Sequence, residues 1–157
     1  MKIRLIYIGK TTDHHLICLC DDYAARLSHY APFCIDVLPA ISSTRNLTEF
    51  EQTAAEGKML LSQIKPADYL VLLDERGKQL TSEGLASWLN RALTSVGSTL
   101  TFVIGGPYGF SPQVYARANA QLSLSSMTFS HQMVRLIFLE QLYRAFTILK
   151  GQPYHHA

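Results

Sequence analysis

Apolar and polar positions along this chain switch repeatedly between a period of two and a period near 3.6, and the switches divide it into strands and helices. Ile3-Arg4-Leu5-Ile6-Tyr7-Ile8 is rich in β-branched residues and stops at Gly9, which predicts a strand. Leu16, Leu19, Tyr23 and Leu27 then recur at helical spacing, so a helix is expected from about 15 to 30, followed by a second strand over 34–38. Residues 39–46 form a polar loop rich in Ser and Thr. Thr48-Glu49-Phe50-Glu51 has the form of a capped helix start, and that helix must end before Pro66.

The second half repeats the alternation. Tyr69-Leu70-Val71-Leu72-Leu73 is wholly apolar, as expected of a strand buried on both faces. Ser82 is placed to cap a helix carrying Leu85, Trp88, Leu89 and Leu93 that ends by Gly97, and residues 100–104 form a fourth buried strand. Ser111-Pro112 sets a cap and then proline at the first helical position. Residues 122–124 predict a short fifth strand, and from about Ser130 a helical period runs through Val134, Ile137, Phe138, Leu142, Ala145 and Ile148 until Gly151. Alternating strands and helices predict one α/β domain over 1–157, with a mostly parallel sheet flanked by helices and a ligand at the carboxyl ends of its strands.

Composition narrows this modestly. The 157 residues are 48% apolar and 17% charged, enough to bury a core without staples. Three cysteines, Cys18, Cys20 and Cys34, lack any CxxC spacing and suit a reducing cytoplasm rather than a disulfide framework. The apolar stretch after Lys2 and Arg4 is too short for a signal peptide or a membrane span. Charge is uneven: residues 1–83 hold nine Lys/Arg against eleven Asp/Glu, whereas 84–157 hold five against one. The second half is therefore the side expected to meet a polyanion. No carboxylate lies between Glu83 and Glu140, so a ligand over the glycines at 105–109 is expected to be held by backbone groups, hydroxyls and cations.

Several signatures fail on spacing. Gly9-Lys10-Thr11 resembles the end of a phosphate-binding loop, but the glycine required five residues earlier is Arg4. Gly105-Gly106-Pro107-Tyr108-Gly109 follows a strand, yet it lacks the G-x-G-x-x-G spacing and no acidic residue follows within twenty positions. His15, Cys18 and Cys20 do not share a helix face, and no metal site is expected.

Four motifs remain, in order: Ile104-Gly105-Gly106-Pro107-x-Gly109; Leu122-Ser123-x-Ser125-x-Met127-Thr128-Phe129-x-His131; Glu140-Gln141-Leu142-Tyr143-Arg144-Ala145; and Pro153-Tyr154-His155. In these motifs the chain resembles, from end to end, the small RlmH-type ribosomal RNA methyltransferases of the SPOUT class. That resemblance implies a deep trefoil knot over roughly 70–157, one of the rare exceptions to unknotted connections. It implies S-adenosylmethionine as methyl donor, contacted by Leu73, Gly105, Leu124, Ser125, Ser126, Met127, Thr128 and Phe129, with no metal. It further implies methylation of N3 of a pseudouridine in 23S rRNA, on a large subunit or assembled ribosome, by a cytoplasmic homodimer.

By the same resemblance the tail reaches the active site. Tyr154 would position the target base, His155 would act as base or proton relay, and Arg135 and Arg144 would meet an anion or phosphate. Relatives commonly carry Arg or Lys after that histidine, where this chain has His156. The helix over 130–149, with Tyr143 and Phe146 beyond its core stripe, is the expected dimer face. Two other readings stay open: a SPOUT methyltransferase acting on tRNA or another rRNA site, which would share the knot but is not expected to end in Tyr154-His155, and a module that binds a nucleotide or ribosome without transfer.

Overall fold

The fold is described from a computed structural model over residues 1–156. Five strands, β1 (Lys2–Ile8), β2 (Phe33–Leu38), β3 (Tyr69–Gln79), β4 (Thr99–Ile104) and β5 (Ala120–Ser123), form one sheet in the order β2-β1-β4-β3-β5. Every pairing is parallel: Leu5 stands opposite both Ile35 and Phe102, and Val71 opposite both Phe102 and Ala120.

Alternation along the strands separates two cores. Leu5, Val71 and Phe102 face a layer made by α1 (His14–Leu27), α3 (Ser82–Ser95) and α5 (Met133–Leu149). Ile6, Leu72 and Val103 face the other layer, which holds α2 (Glu49–Leu61) and α4 (Pro112–Arg117). Both sheet faces are thus covered, the condition under which apolar parallel strands are stable.

Local chemistry explains most boundaries. Asp13 Oδ1 caps α1 by accepting from His15 N at 2.9 Å, so the helix begins at His14, one residue before the expected start. That helix ends at Leu27 rather than Tyr30, because the amides of His29 and Tyr30 turn back to the carbonyls of Arg26 and Leu27. Thr48 and Glu51 form a reciprocal capping box on α2. Ser111 caps α4 with Pro112 at its first turn, and Gly151, at φ +65°, follows the end of α5.

Three expectations are corrected. The cap of α3 is Thr81, whose Oγ1 accepts from Gly84 N at 3.0 Å, while Ser82 Oγ donates to Gln141 Oε1 at 2.8 Å. Strand β5 begins and ends one or two residues earlier than the 122–124 pattern indicated. Strand β3 does not stop at Leu73 but continues to Gln79, with its pairing to β5 slipping so that both Leu73 and Lys78 stand opposite Leu122. Gly77 permits that close passage: a Cβ there would lie 2.7 Å from the backbone of Gln121 and Leu122.

Two residues expected to stand beyond the core stripe of the last helix pack within the chain. Phe146 is only 4% exposed and stacks on Tyr30, and Tyr143 packs edge-on against Tyr23 and Tyr30. Tyr23 of α1 and Tyr30, in the turn after it, already cover these rings within the same chain.

Candidate active site

The carboxyl ends of β3, β4 and β5 converge on a cavity of about 430 Å³. From β3 come Leu73, Asp74 and Glu75. The turn after β4 contributes Gly105, Gly106, Pro107 and Gly109. Here Gly109 N donates to Gly106 O at 3.2 Å, and Gly109 adopts φ +76°, which glycine tolerates without strain. The segment after β5 contributes Leu124, Ser125, Met127, Thr128 and Phe129, and the approach to α5 adds His131 and Val134.

Of the eight residues expected to contact the donor, seven line this cavity. Ser126 is exposed and does not line it. Ser125 Oγ accepts from Met127 N at 2.9 Å and Ser123 Oγ donates to Ser125 O at 3.0 Å, so hydroxyls within the segment fix its bend. Met127 is 77% exposed, which places it at the rim and not in the core. The last helix is approached through Ser130, whose Oγ accepts from Met133 N at 3.1 Å.

The expectation of a site without carboxylates is overturned. Asp74 and Glu75 line the cavity although they lie before residue 84, and no Lys or Arg lines it. Asp74 also accepts a hydrogen bond from the Tyr115 hydroxyl, and burial together with that carboxylate pushes the Tyr115 phenol up to about 12. Two acidic groups, an apolar slot and hydroxyls without a cation suit a positively charged organic ligand and disfavour a phosphate-bearing one.

The four residues expected to act in transfer do not come together at this cavity in the single chain. Tyr154 and His155 of the tail form one cluster with Arg144 of α5. The Tyr154 hydroxyl donates to Glu140 Oε1 at 3.0 Å and lies 3.0 Å from Tyr23 Oη, while Arg144 covers its ring at 4.7 Å. Burial, then the bonds to Tyr23 and Glu140, push the Tyr154 phenol well above its ordinary value. His155 Nδ1 is 3.2 Å from Arg144 Nη1, and Nε2 is 2.9 Å from Glu83 Oε1. Arg144 pairs with Glu140 at 2.5 Å, which raises the guanidinium further above its ordinary value.

Arg135 stands apart and corrects the sequence reading. It is 2% exposed, donates to Thr11 Oγ1 and Ile8 O at 2.9 Å each, and lies 4.0 Å over the Tyr7 ring. Burial lowers its pKa, and Nε has no partner. The group joins α5 to the end of β1 and presents no charge to a phosphate.

Sequence reasoning missed Asp74, Glu75 and Glu83. The first two adjoin Leu73 directly within the extended β3, so the signal was their place just past the apolar run; Glu83 served only to mark a boundary of charge. Among the described residues no three His, Cys, Asp or Glu side chains gather to hold a metal ion, and no helix is long and apolar enough to cross a membrane.

A doubly covered parallel sheet with a cation-suited cavity at its strand ends defines an α/β ligand-binding domain. Residues 1–155 match the family model described as "Predicted SPOUT methyltransferase". Ribosomal RNA large subunit methyltransferase H of Flavobacterium psychrophilum is 53% identical over 156 residues, and that of Parabacteroides distasonis 51%, each alignment covering 99% of both chains. The chain therefore belongs to the SPOUT methyltransferases and, within them, to the ribosomal RNA large subunit methyltransferase H family. Among solved structures, ribosomal RNA small subunit methyltransferase E from Neisseria gonorrhoeae bound to S-adenosyl methionine overlays with a TM-score of 0.42 at 11% identity, across 94% of this chain and 66% of that one.

Proposed function

We propose that this protein transfers a methyl group from S-adenosylmethionine to N3 of a pseudouridine in 23S rRNA, acting in the cytoplasm on the large subunit or assembled ribosome. The observation that carries this is the cavity lined by Leu73, Gly105, Leu124, Ser125, Met127, Thr128 and Phe129 in a chain matched end to end by its relatives. The fit to the donor is chemical as well as spatial. Asp74 and Glu75 oppose positive charge, Leu73 and Phe129 offer apolar surface, and the glycines let backbone approach closely.

The donor supplies an electrophilic methyl carbon on a sulfonium; the protein must orient it and manage the imide proton that leaves N3. His155 takes or relays that proton. Tyr154, whose phenol stays protonated near neutral pH, serves as a hydrogen-bond donor rather than a base. Arg144, held by Glu140, stabilises the developing imide anion. Arg135 has no part in this scheme beyond packing.

The tail cluster does not line the cavity of its own chain, which supports a homodimer in which the tail of one protomer completes the cavity of its partner. A deep trefoil knot spanning roughly 70–157 of a single SPOUT domain is part of the same reading.

The test is methyl transfer from labelled S-adenosylmethionine to ribosomes from a strain lacking this gene, with and without prior pseudouridylation, mapped by mass spectrometry. Label on a 23S pseudouridine that vanishes without the isomerised base is the expected result. Label on another nucleotide would change the target, and binding without transfer would favour a non-catalytic module.

A further inference from the structure

Behind the glycine turn lies a second cavity of about 10 Å³, room for about one water molecule. Gly105, Gly106, Gly109 and Phe110 border both this space and the larger cavity, so the turn is a thin partition between them. The far side is formed by α2, through Glu56 and Gly57.

Glu56 is 5% exposed. Gln52, one turn back on the same helix, offsets part of the cost of that burial. The facing elements bring only uncharged groups: Ile8 at the end of β1, Val103 of β4, Val114 of α4, and Phe110 and Ser111 of the connecting segment. A buried carboxylate with no cation opposite is costly, and such groups keep their proton instead of ionising. Burial accordingly pushes the Glu56 carboxyl above its usual range.

The contact with the turn is close. A Cβ on Gly106 would lie 2.2 Å from Glu56 Oε2 and 2.9 Å from Oε1. A Cβ on Gly57 would lie 2.3 Å from Ser111 Oγ. Two adjacent residues of α2 therefore press on both ends of the segment from Gly106 to Ser111, and glycine is required on opposite sides of the two contacts.

We propose that Glu56 is a positioning residue for the donor turn: its carboxyl group, wedged beneath Gly106, fixes the height of Gly105–Gly109 and thereby sets affinity for the methyl donor. This rests on the donor reading of the larger cavity given above. The wedge works in its neutral form. Because the folded carboxyl is raised, the ordered turn is fully favoured below the ordinary carboxylate range and is lost as pH rises through the raised value.

The experiment compares the wild type with Glu56→Gln and Glu56→Ala by calorimetric titration of S-adenosylmethionine between about pH 5 and pH 9, and by hydrogen exchange of the amides in 105–111. Gln keeps the shape without a titratable proton, so its donor affinity should match the wild type in acid and exceed it as pH rises, the ratio of the two Kd values changing with pH. Ala should weaken donor binding about tenfold and speed exchange in the turn while the strands remain protected. Wild-type affinity and exchange in Glu56→Ala, or a Kd ratio between Glu56→Gln and wild type that is constant with pH, would overturn the proposal. A wild type that binds no donor would instead defeat the reading of the larger cavity. The exchange comparison, which needs no donor, would still decide whether Glu56 orders the turn.

Discussion

Gly77 on β3 passes so near Leu122 on β5 that a Cβ would lie 2.7 Å from the Leu122 amide nitrogen. The obstruction is backbone, which cannot rotate away as a side chain can. Gly77→Ala should therefore lose about 1–3 kcal/mol of stability, as overpacked sites do. The check is the denaturant midpoint. Because Asp74 and Glu75 sit just before this crossing, donor affinity should fall in parallel, and a variant with unchanged midpoint would mean the crossing yields easily.

Arg135→Lys distinguishes a buried brace from a phosphate contact. Lysine cannot serve Thr11 Oγ1 and Ile8 O in one planar fork, nor lie flat over Tyr7. The expected cost is about 1–3 kcal/mol from a buried acceptor left unpaired. The salt dependence of ribosome binding should be unchanged, since a group 2% exposed releases no counterion from RNA. A slope reduced by about one would place the guanidinium on a phosphate after all.

How much of this was legible in sequence depends on how local the signal was. Strands β1, β2 and β4 and helix α2 were bounded by their own punctuation: Gly9, Pro39, Gly105 and the reciprocal Thr48–Glu51 cap. The turn at Gly105–Gly109 and the segment from Leu124 to Phe129 were legible because motifs mark them. Asp74 and Glu75 were not, because an acid-free stretch in sequence was taken for an acid-free site in space. Arg135 lies on an otherwise apolar helical period, and a charge there looked exposed until Tyr7 and Thr11 were brought to it from more than a hundred residues away. Tyr143 and Phe146 looked free because only tertiary structure lays Tyr23 and Tyr30 across them.

Tyr115→Phe should separate the two ends of the wall formed by α4 and β3. The lost bond is to a carboxylate, worth about 2 kcal/mol. The folded phenol stands at about 12, above its ordinary 10, so its stabilisation is complete below pH 10 and is lost as pH rises from 10 toward 12. Urea denaturation of both proteins should therefore show a constant stability gap from neutral pH to about 10 that narrows above it. A gap independent of pH throughout would show that the ring, and not its hydroxyl, carries the effect.

The docking of the tail has an opposite pH sign. The Glu83 carboxyl is held below its usual range chiefly by the hydrogen bond with His155. Its contribution to holding the tail is thus present above the ordinary carboxylate value and lost as pH falls through the lowered one. Tyr154, in contrast, is anchored by Glu140 and Tyr23 and keeps its proton. Glu83→Gln should leave donor affinity intact, since Glu83 does not line the cavity, while kcat on ribosomes falls about tenfold as His155 loses its orienting partner. Hydrogen exchange of the tail should quicken at residue 155 before residue 154. Equal kcat in both proteins would mean that His155 is oriented by Arg144 alone, and an altered donor Kd would bring the tail to the cavity of its own chain.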